Sequence, residues 1–212
     1  NHDHSGDRIS ISSDGTIIAI GAVKNDGNGE DSGHVRVFQN VNDTWRQIGS
    51  DINGEAAGDE SGRGISISGD GTTIAIGAEL NDGNGEDSGH VRVFQNVDDT
   101  WVQIGSDIDG EAAGDMLGTP SLSNDGSIIA IGSPLNDGNG EDSGHVRVFQ
   151  NVDNTWVQIG SDIDGESAGD MFCNASISSD GSTIAIGAGG DDANGNQSGH
   201  VRVFQNVDDT WV

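Results

Sequence analysis

The sequence predicts an all-β fold made of four tandem repeats, and three observations support this prediction. First, the nonapeptide Gly-His-Val-Arg-Val-Phe-Gln-Asn-Val occurs four times, starting at Gly33, Gly89, Gly144 and Gly199. Second, a Trp follows each copy at the same offset, so that the repeats are about 55 residues long. Third, no segment has the periodicity of an amphipathic helix. A period of this length is typical of one supersecondary unit per repeat, which shares its core with its neighbours.

Within the second repeat the residue pattern predicts four antiparallel strands. Gly64–Ser68 alternates apolar and polar residues, and Gly69–Gly71 is a tight hairpin turn. Thr72–Ala78 predicts a second, more buried strand, and His90–Val97 a third that alternates again. After a turn, Thr100–Ile108 predicts the fourth strand.

Four antiparallel strands in a repeat of about 50 residues are typical of a β-propeller blade. We place the blades at residues 3–54, 59–110, 115–165 and 170–212 of a single domain, 1–212. The recurring Phe and Trp residues predict packing between blades, with each Trp buried between two sheets. Closure as a four-bladed ring is the leading expectation, and a larger ring or a longer array is the alternative.

Charge excludes several classes of partner. The chain has 36 acidic and 8 basic residues, and its net charge is -28. Nucleic acid is therefore not an expected partner, because phosphate binding needs clustered Lys and Arg residues. Direct membrane insertion is not expected either, since no apolar run approaches the roughly 20 residues of a membrane helix. Bound cations or a salty medium would reduce the repulsion within so acidic a chain.

Cysteine and sequon positions bear on the chemistry of the surface. Cys173 is the only cysteine, so no disulfide forms within the chain. It aligns with Gly118 and is expected to be a small buried residue, with an intermolecular bridge as the alternative. Sequons begin at Asn42, Asn174 and Asn196, and they would permit glycosylation in a secretory eukaryote.

An acidic, glycine-rich loop follows the second strand in the first three repeats. Alternating oxygen donors on a flexible loop suit Ca²⁺, which takes 6–8 oxygen ligands. The alternative is a solvated loop, since Asn-Gly and Asp-Gly form turns without any ion. The candidate calcium ligands are Asp26, Asn28, Glu30, Asp31, Asp82, Asn84, Glu86, Asp87, Asp137, Asn139, Glu141 and Asp142.

The fourth repeat provides an internal control for calcium binding. Asn196 stands where the first repeat has Glu30, and Gln197 stands where it has Asp31. If the acidic side chains bind calcium, the first three loops should hold it and the fourth should not.

Other repeated polar residues favour structural roles. A second acidic run, Asp51–Asp59 in the first repeat, joins one blade to the next, and capping or turn roles are expected there, with a cation as the alternative. The repeated His residues lack a second His or Cys nearby, which makes them poor transition-metal ligands. The repeated Arg residues are expected to pair with carboxylates. These residues are His34, His90, His145 and His200, with Arg36, Arg92, Arg147 and Arg202.

Two short elements carry a family resemblance. One is Gly21-Ala22-Val23 with its three equivalents, and the other, degraded in this chain, is Ser5-Gly6 with its equivalents. The unit resembles the FG-GAP family of propeller repeats, which is found in integrin alpha chains and in large secreted proteins. In integrins a calcium loop lies between the two elements. Here that space holds only Ser-x-Asp-Gly turns, such as the turn at Asp14, so the integrin site is not carried over.

No candidate nucleophile and base stand out from the repeated background. The residues that differ between repeats form no catalytic set; they include Met116, Pro120, Pro134, Met171, Phe172 and Cys173. We therefore expect a non-enzymatic structural or adhesive module of an extracellular or cell-surface protein. Its expected partners are other protein subunits or cell-surface and matrix components. The alternative is a lectin-like propeller that binds glycans with calcium.

Overall fold

The structure is a computed structural model, and it describes residues 2–191 and 197–212. All regular secondary structure in these residues is β-strand, arranged as one antiparallel sheet per repeat. The prediction of four antiparallel propeller blades is therefore confirmed. The described part of the chain contains no helix that is long and apolar enough to span a membrane.

Each blade uses consecutive strands, and each sheet follows the chain order from its first strand to its fourth. The first blade contains β1 (Ser5–Ile11), β2 (Ile17–Ala22), β3 (His34–Val41), β4 (Thr44–Gln47) and β5 (Ile52–Asn53). The second contains β6 (Gly64–Ile67), β7 (Thr73–Ala78), β8 (His90–Val97), β9 (Thr100–Gln103) and β10 (Ile108–Asp109). The third contains β11 (Thr119–Leu122), β12 (Ile128–Ser133), β13 (His145–Val152), β14 (Thr155–Gln158) and β15 (Ile163–Asp164). The fourth contains β16 (Phe172–Ile177), β17 (Thr183–Ala188), β18 (His200–Val207) and β19 (Thr210–Trp211).

The fourth strand predicted over Thr100–Ile108 is instead two short strands, β9 and β10. Both pair with β8, β9 with its second half and β10 with its first two residues. Gly105 lies between them with a φ of 74°, a left-handed conformation. A Cβ at Gly105 would lie 2.7 Å from Cδ1 of Trp156 in the next blade. The approach of this indole explains why the strand is interrupted.

The Ser-x-Asp-Gly segments form the hairpin turns between the first and second strands. In the second blade, Oδ1 of Asp70 accepts the backbone N–H of Thr72 at 2.9 Å and the Ser68 hydroxyl at 2.7 Å. In the fourth blade, hydrogen bonds from Ser178 and Ser182 lower the pKa of Asp180 to about 2. These carboxylates therefore stabilise turns.

Neighbouring blades pack through two different faces. We call one the valine face; in the first blade it consists of Ala19, Val35 and Val37. We call the other the isoleucine face; in the second blade it consists of Ile67, Ile74 and Ile76, and the two faces form one buried cluster. Equivalent clusters join the second blade to the third and the third to the fourth. Each internal junction is thus one valine face against one isoleucine face.

The four blades form an open arc, which corrects the expectation that they close as a ring. Val201 and Val203 on the valine face of the fourth blade are 66% and 64% exposed. Ile9 and Ile11 on the isoleucine face of the first blade are 73% and 59% exposed. A closed ring of four would bury these faces against each other.

The Trp residues lie at the blade junctions where a preceding blade exists. The indole N–H of Trp101 donates to the carbonyl of Ile48 in the first blade at 3.1 Å. Trp156 and Trp211 make the same bond to the blade before them, at 3.0 Å each. Trp45 has no blade before it and is 43% exposed. This corrects the expectation that every Trp is buried between sheets.

Candidate functional site

The predicted calcium ligands lie on three exposed loops, which we call the rim loops: residues 25–32, 81–88 and 136–143. Each loop connects the second strand of its blade to the third. In the first rim loop, Oδ1 of Asn25 accepts the N–H of Gly27 at 2.9 Å, and Oδ1 of Asp26 accepts the N–H of Asp31 at 3.0 Å. The second and third rim loops repeat both bonds. The structure therefore brings Asp26 and Asp31 together through the backbone.

Each rim loop is also fixed to the linker that leads to the next blade. Nδ2 of Asn28 donates to the carbonyls of Gly54 and Glu55 at 2.9 and 2.8 Å. Gly29 has a φ of 135°, and a Cβ there would lie 2.9 Å from Cβ of Ala57. Asn84 and Asn139 bond their own linkers in the same way. The rim loops are therefore held in one conformation.

The carboxylates of the rim loops are exposed or half-buried. The side chains of Glu30, Glu86 and Glu141 face solvent. In the described residues, no three His, Cys, Asp or Glu side chains of a rim loop have ligand atoms within 4.8 Å of one another. Calcium binding by these loops stays a prediction. In the fourth repeat, Asn196 lies outside the described residues, and the expected lack of calcium in that loop also stays a prediction.

In the second, third and fourth blades, the repeated arginine ties the blade to the linker before it. The buried Arg92 donates to the carbonyl of Asn53 at 2.7 Å and lies 3.5 Å from Oε1 of Glu55. Its guanidinium is also 5.3 Å from the centre of the Phe94 ring. Arg147 and Arg202 pair with Glu111 and Glu166 in the equivalent places, and Arg36 pairs with Asp51 of its own blade. The predicted pairing of these arginines with carboxylates is confirmed.

The second acidic run has the expected capping role. Oδ2 of Asp59 accepts the N–H of Ala56 at 2.9 Å and the amide of Asn81 at 3.2 Å. Asp115 and Asp170 accept equivalent backbone bonds in the next two linkers. These aspartates order the linker and, at Asp59 and Asp115, fasten it to the start of a rim loop.

The repeated histidines lie beside these arginines. His90 is buried, and its Nδ1 is 3.8 Å from Oε2 of Glu55 and 4.0 Å from Oδ2 of Asp107. Burial lowers the pKa of His90, and the charge of Arg92 lowers it further. In the part of the chain that the structure describes, this group and its equivalent at His145 are the groups of three side chains placed to hold a metal. The guanidinium beside each group opposes a cation, which favours a structural role.

A cleft of about 340 Å³ opens between the first and second blades. It brings aromatic rings, carboxylates and an amide together at one junction. Its lining includes the charged, amide and aromatic residues Asp51, Asn53, Arg92, Phe94, Asp99 and Trp101. Rings beside carboxylates and amides suit a polyhydroxylated ligand, because such a ligand offers both apolar C–H faces and hydroxyl groups.

The sequence reasoning missed a network of charged residues that links the first blade to the second. Lys24 pairs with Glu60 and, at 3.0 Å, with Asp31. Arg63 also pairs with Glu60, and its Nε is 3.2 Å from Oε2 of Glu79. Burial raises the pKa of Glu79. The available signal was asymmetry between repeats, since Leu80 aligns with Lys24 and an uncharged residue aligns with Glu79.

Cys173 and two sequons fall among the described residues. Cys173 is buried as expected, and burial raises the pKa of its thiol to about 11. A thiol with so high a pKa stays protonated at neutral pH, so it is a poor nucleophile. Asn42 and Asn174 are exposed, whereas Asn196 lies outside the described residues.

Comparisons with known proteins confirm the repeat type. The FG-GAP repeat family matches residues 53–94, which run from the end of the first blade to β8 of the second. A search of curated proteins gives no significant match.

Solved structures confirm the propeller fold. A Bacteroides uniformis protein assigned as a 6-phosphogluconolactonase superposes with a TM-score of 0.62 at 17% identity, over 95% of this chain and 50% of that one. A periplasmic gluconolactonase from Pseudomonas aeruginosa gives 0.59 at 15% identity, over 96% and 54%. TolB from Acinetobacter baumannii gives 0.50 at 14% identity, over 95% and 44%. The chain thus spans about half the length of these structures, and identities this low show the fold alone.

These comparisons correct the expectation that the chain is not an enzyme. Two of the three similar structures bear the names of lactone-hydrolysing enzymes, so the fold shared with this chain is one that enzymes use. The expectation rested on the absence of a catalytic set among residues that differ between repeats. That reasoning overlooked the charged network of Lys24, Glu60, Arg63 and Glu79, which also differs between repeats.

Proposed function

We propose that the chain is a structural and adhesive propeller module of an extracellular or cell-surface protein. It presents a rigid acidic surface to other protein subunits or to cell-surface and matrix components. The observation that supports this proposal is the repetition of the rim loops. Three loops with the same internal bonds place the exposed carboxylates of Glu30, Glu86 and Glu141 at the same end of successive blades.

Calcium is part of the proposal. The exposed oxygens of the rim loops suit a hard dication, and a chain of net charge -28 gains from bound cations. A calcium ion on each of the three loops would stiffen the surface and bridge it to carboxylates of a partner.

The test compares two variants with equal loss of charge. The rim variant carries Glu30→Gln, Glu86→Gln and Glu141→Gln. The control variant carries Asp98→Asn, Asp153→Asn and Asp208→Asn in the turns between the third and fourth strands. Asn is compatible with these turns, because Asn42 occupies the equivalent left-handed position in the first blade.

Both variants are applied to arrays of matrix proteins and glycans, with calcium or with EDTA. We expect calcium-dependent binding to matrix proteins that the rim variant loses and the control keeps. Equal loss of binding in both variants would show that overall charge, and not the rim loops, is responsible for binding. Absence of binding by the unmodified chain would contradict the adhesive role.

A second candidate function is glycan binding, and the cleft at Trp101 favours it. Its test is Asp99→Asn, which changes a carboxylate that lines the cleft, with Asp209→Asn as the control at the equivalent turn of the fourth blade. Glycan binding that falls only in Asp99→Asn would support this candidate. Glycan binding unchanged in both variants would exclude the cleft as its site.

A further inference from the structure

We propose that a second copy of this chain docks on both open ends of the arc, so that two copies form one eight-bladed ring. The valine face of the fourth blade in each copy packs on the isoleucine face of the first blade in the other. The ring then has two identical closing junctions, related by a two-fold axis along the propeller axis.

The two open faces carry strand residues equivalent to those that meet at each of the three internal junctions. Val201 and Val203 align with Val91 and Val93, which are almost fully buried. On the first blade, Ile11, Ile18 and Ile20 align with isoleucines that are buried in the second blade. An apolar cavity of about 180 Å³ lies on this face of the first blade. The same side chains that hold the internal blades together are therefore available at the ends.

Two series of hydrogen bonds run from blade to blade and point to the same partner. The first series joins backbone groups at 2.8–2.9 Å: the N–H of Ser13 donates to the carbonyl of Gly69, and the N–H of Gly69 donates to the carbonyl of Asn124. The N–H of Asn124 then donates to the carbonyl of Ser179. In a second copy, the N–H of Ser179 would continue the series to the carbonyl of Ser13.

The second series uses serine hydroxyls on the first strand of each blade. The N–H of Ile67 donates to Oγ of Ser10 at 3.1 Å, and Leu122 donates to Ser66 at 2.9 Å. Ile177 donates to Ser121 at 3.2 Å. The exposed Ser176 is the next acceptor, and the N–H of Ile11 in a second copy is the matching donor.

The size of the arc favours two copies. The superpositions on the two lactonase-named propellers include 95% and 96% of this chain but only 50% and 54% of those proteins. Two arcs of four blades give eight, which lies within the usual range for closed propellers. Head-to-tail contacts form a ring when the rotation closes and a filament when it does not.

The first experiment is sedimentation velocity of the 212-residue chain over a range of concentrations. We expect a species of twice the 21.8 kDa chain mass. A monomer at every concentration, or a series of longer polymers, would overturn the proposal.

Two single variants identify the faces. Val203→Glu alters the valine face of the fourth blade, and Ile11→Glu alters the isoleucine face of the first. Each should weaken self-association on the order of a hundredfold, because both closing junctions then bury a charge. Val157→Glu is the control, since this exposed valine lies on β14, away from both faces. Melting curves check that all three variants fold.

Mixing the two variants gives the decisive result. Each variant retains one intact face, so an equimolar mixture should form a heterodimer with one intact junction, while each variant alone stays monomeric. A dimer that survives Ile11→Glu or Val203→Glu alone would mean that like faces pair, and it would overturn the ring. Failure of the mixture to associate would overturn the pairing of valine face with isoleucine face.

Discussion

The third strand has the same eight residues in all four blades, yet its burial differs between the middle and the ends of the arc. In the second and third blades, the first five residues of β8 and β13 are all buried. In the fourth blade, no residue of β18 is fully buried. Since the sequence is identical, the neighbouring blade alone makes the difference. Burial in this chain is a property of junctions, as in other repeat proteins whose units contact only their neighbours.

The largest effect that tests this comparison is expected at the Trp residues. Trp101→Ala should lower the free energy of unfolding by about 3 kcal/mol, because it removes packing on Gly49 and the bond to Ile48. Trp45→Ala should cost less than about 1 kcal/mol, since this Trp is 43% exposed and makes no equivalent bond within the described chain. Urea denaturation of both variants measures the difference. Equal losses would show that the junction does not govern the role of the Trp.

We expect calcium to bind the three acidic rim loops and not the equivalent loop of the fourth repeat. At about 100 times its dissociation constant, calcium should add roughly 2.7 kcal/mol per site, because it binds the folded chain alone. Calorimetric titration should saturate near three ions. Asn196→Glu with Gln197→Asp should then create a fourth site.

The reference for the calcium experiment is EDTA at the same ionic strength. If magnesium, sodium and EDTA all give the melting temperature seen with calcium, the rim loops are ordinary turns. Four ions bound by the unmodified chain would show that backbone oxygens control binding.

The arginines should show a smaller contrast between a junction and an end. Arg92→Met removes a buried bond to Asn53 and a pair with Glu55, and it should cost about 2 kcal/mol. Arg36→Met breaks an exposed pair with Asp51 and should cost at most about 0.5 kcal/mol. Thermal unfolding of the two variants in parallel decides the point. A larger loss for Arg36→Met would contradict the assignment of the junction bonds.

The buried histidines of the second and third blades should make the stability of the folded chain depend on pH. Burial lowers the pKa of His90 and His145 below the usual 6.5. As the pH falls, these histidines are therefore protonated at a higher pH in the unfolded chain than in the folded chain. Their contribution to stability is complete above pH 6.5 and declines as the pH falls through that value. His90→Gln with His145→Gln should therefore flatten the stability curve between pH 7 and pH 5. A curve unchanged in shape would assign the acid sensitivity to other groups.

Local sequence was sufficient to predict the strands and turns that form within one repeat. Alternation in His90–Val97 predicted β8, and the Ser-x-Asp-Gly pattern predicted the turn at Asp70, because these depend on residues close in sequence. The break at Gly105 was not predicted, since it results from Trp156 in another blade. The open ends were missed for the same reason: Val201 has the same sequence environment as Val91, and only the neighbouring blade differs.

The candidate site also has one feature that the sequence predicted and one that it did not. Pairing of the repeated arginines with carboxylates followed from charge balance in a very acidic chain. The network around Glu60 and Arg63 was not predicted, because Lys24, in the first repeat, is far in sequence from Glu60 and Arg63 and meets them only when the blades pack. The one sign of the network in the sequence is that these three residues and Glu79 each occur in a single repeat.

The bond from Trp101 to Ile48 also gives the assembly of the chain a direction. Trp101, Trp156 and Trp211 each supply an indole to the blade before their own, so the first three blades are complete only when the following repeat has been synthesised. On a ribosome, the first blade therefore waits for residue 101 to emerge. We therefore expect folding of the module to lag translation by one repeat, because the first three blades each need the indole of the repeat that follows.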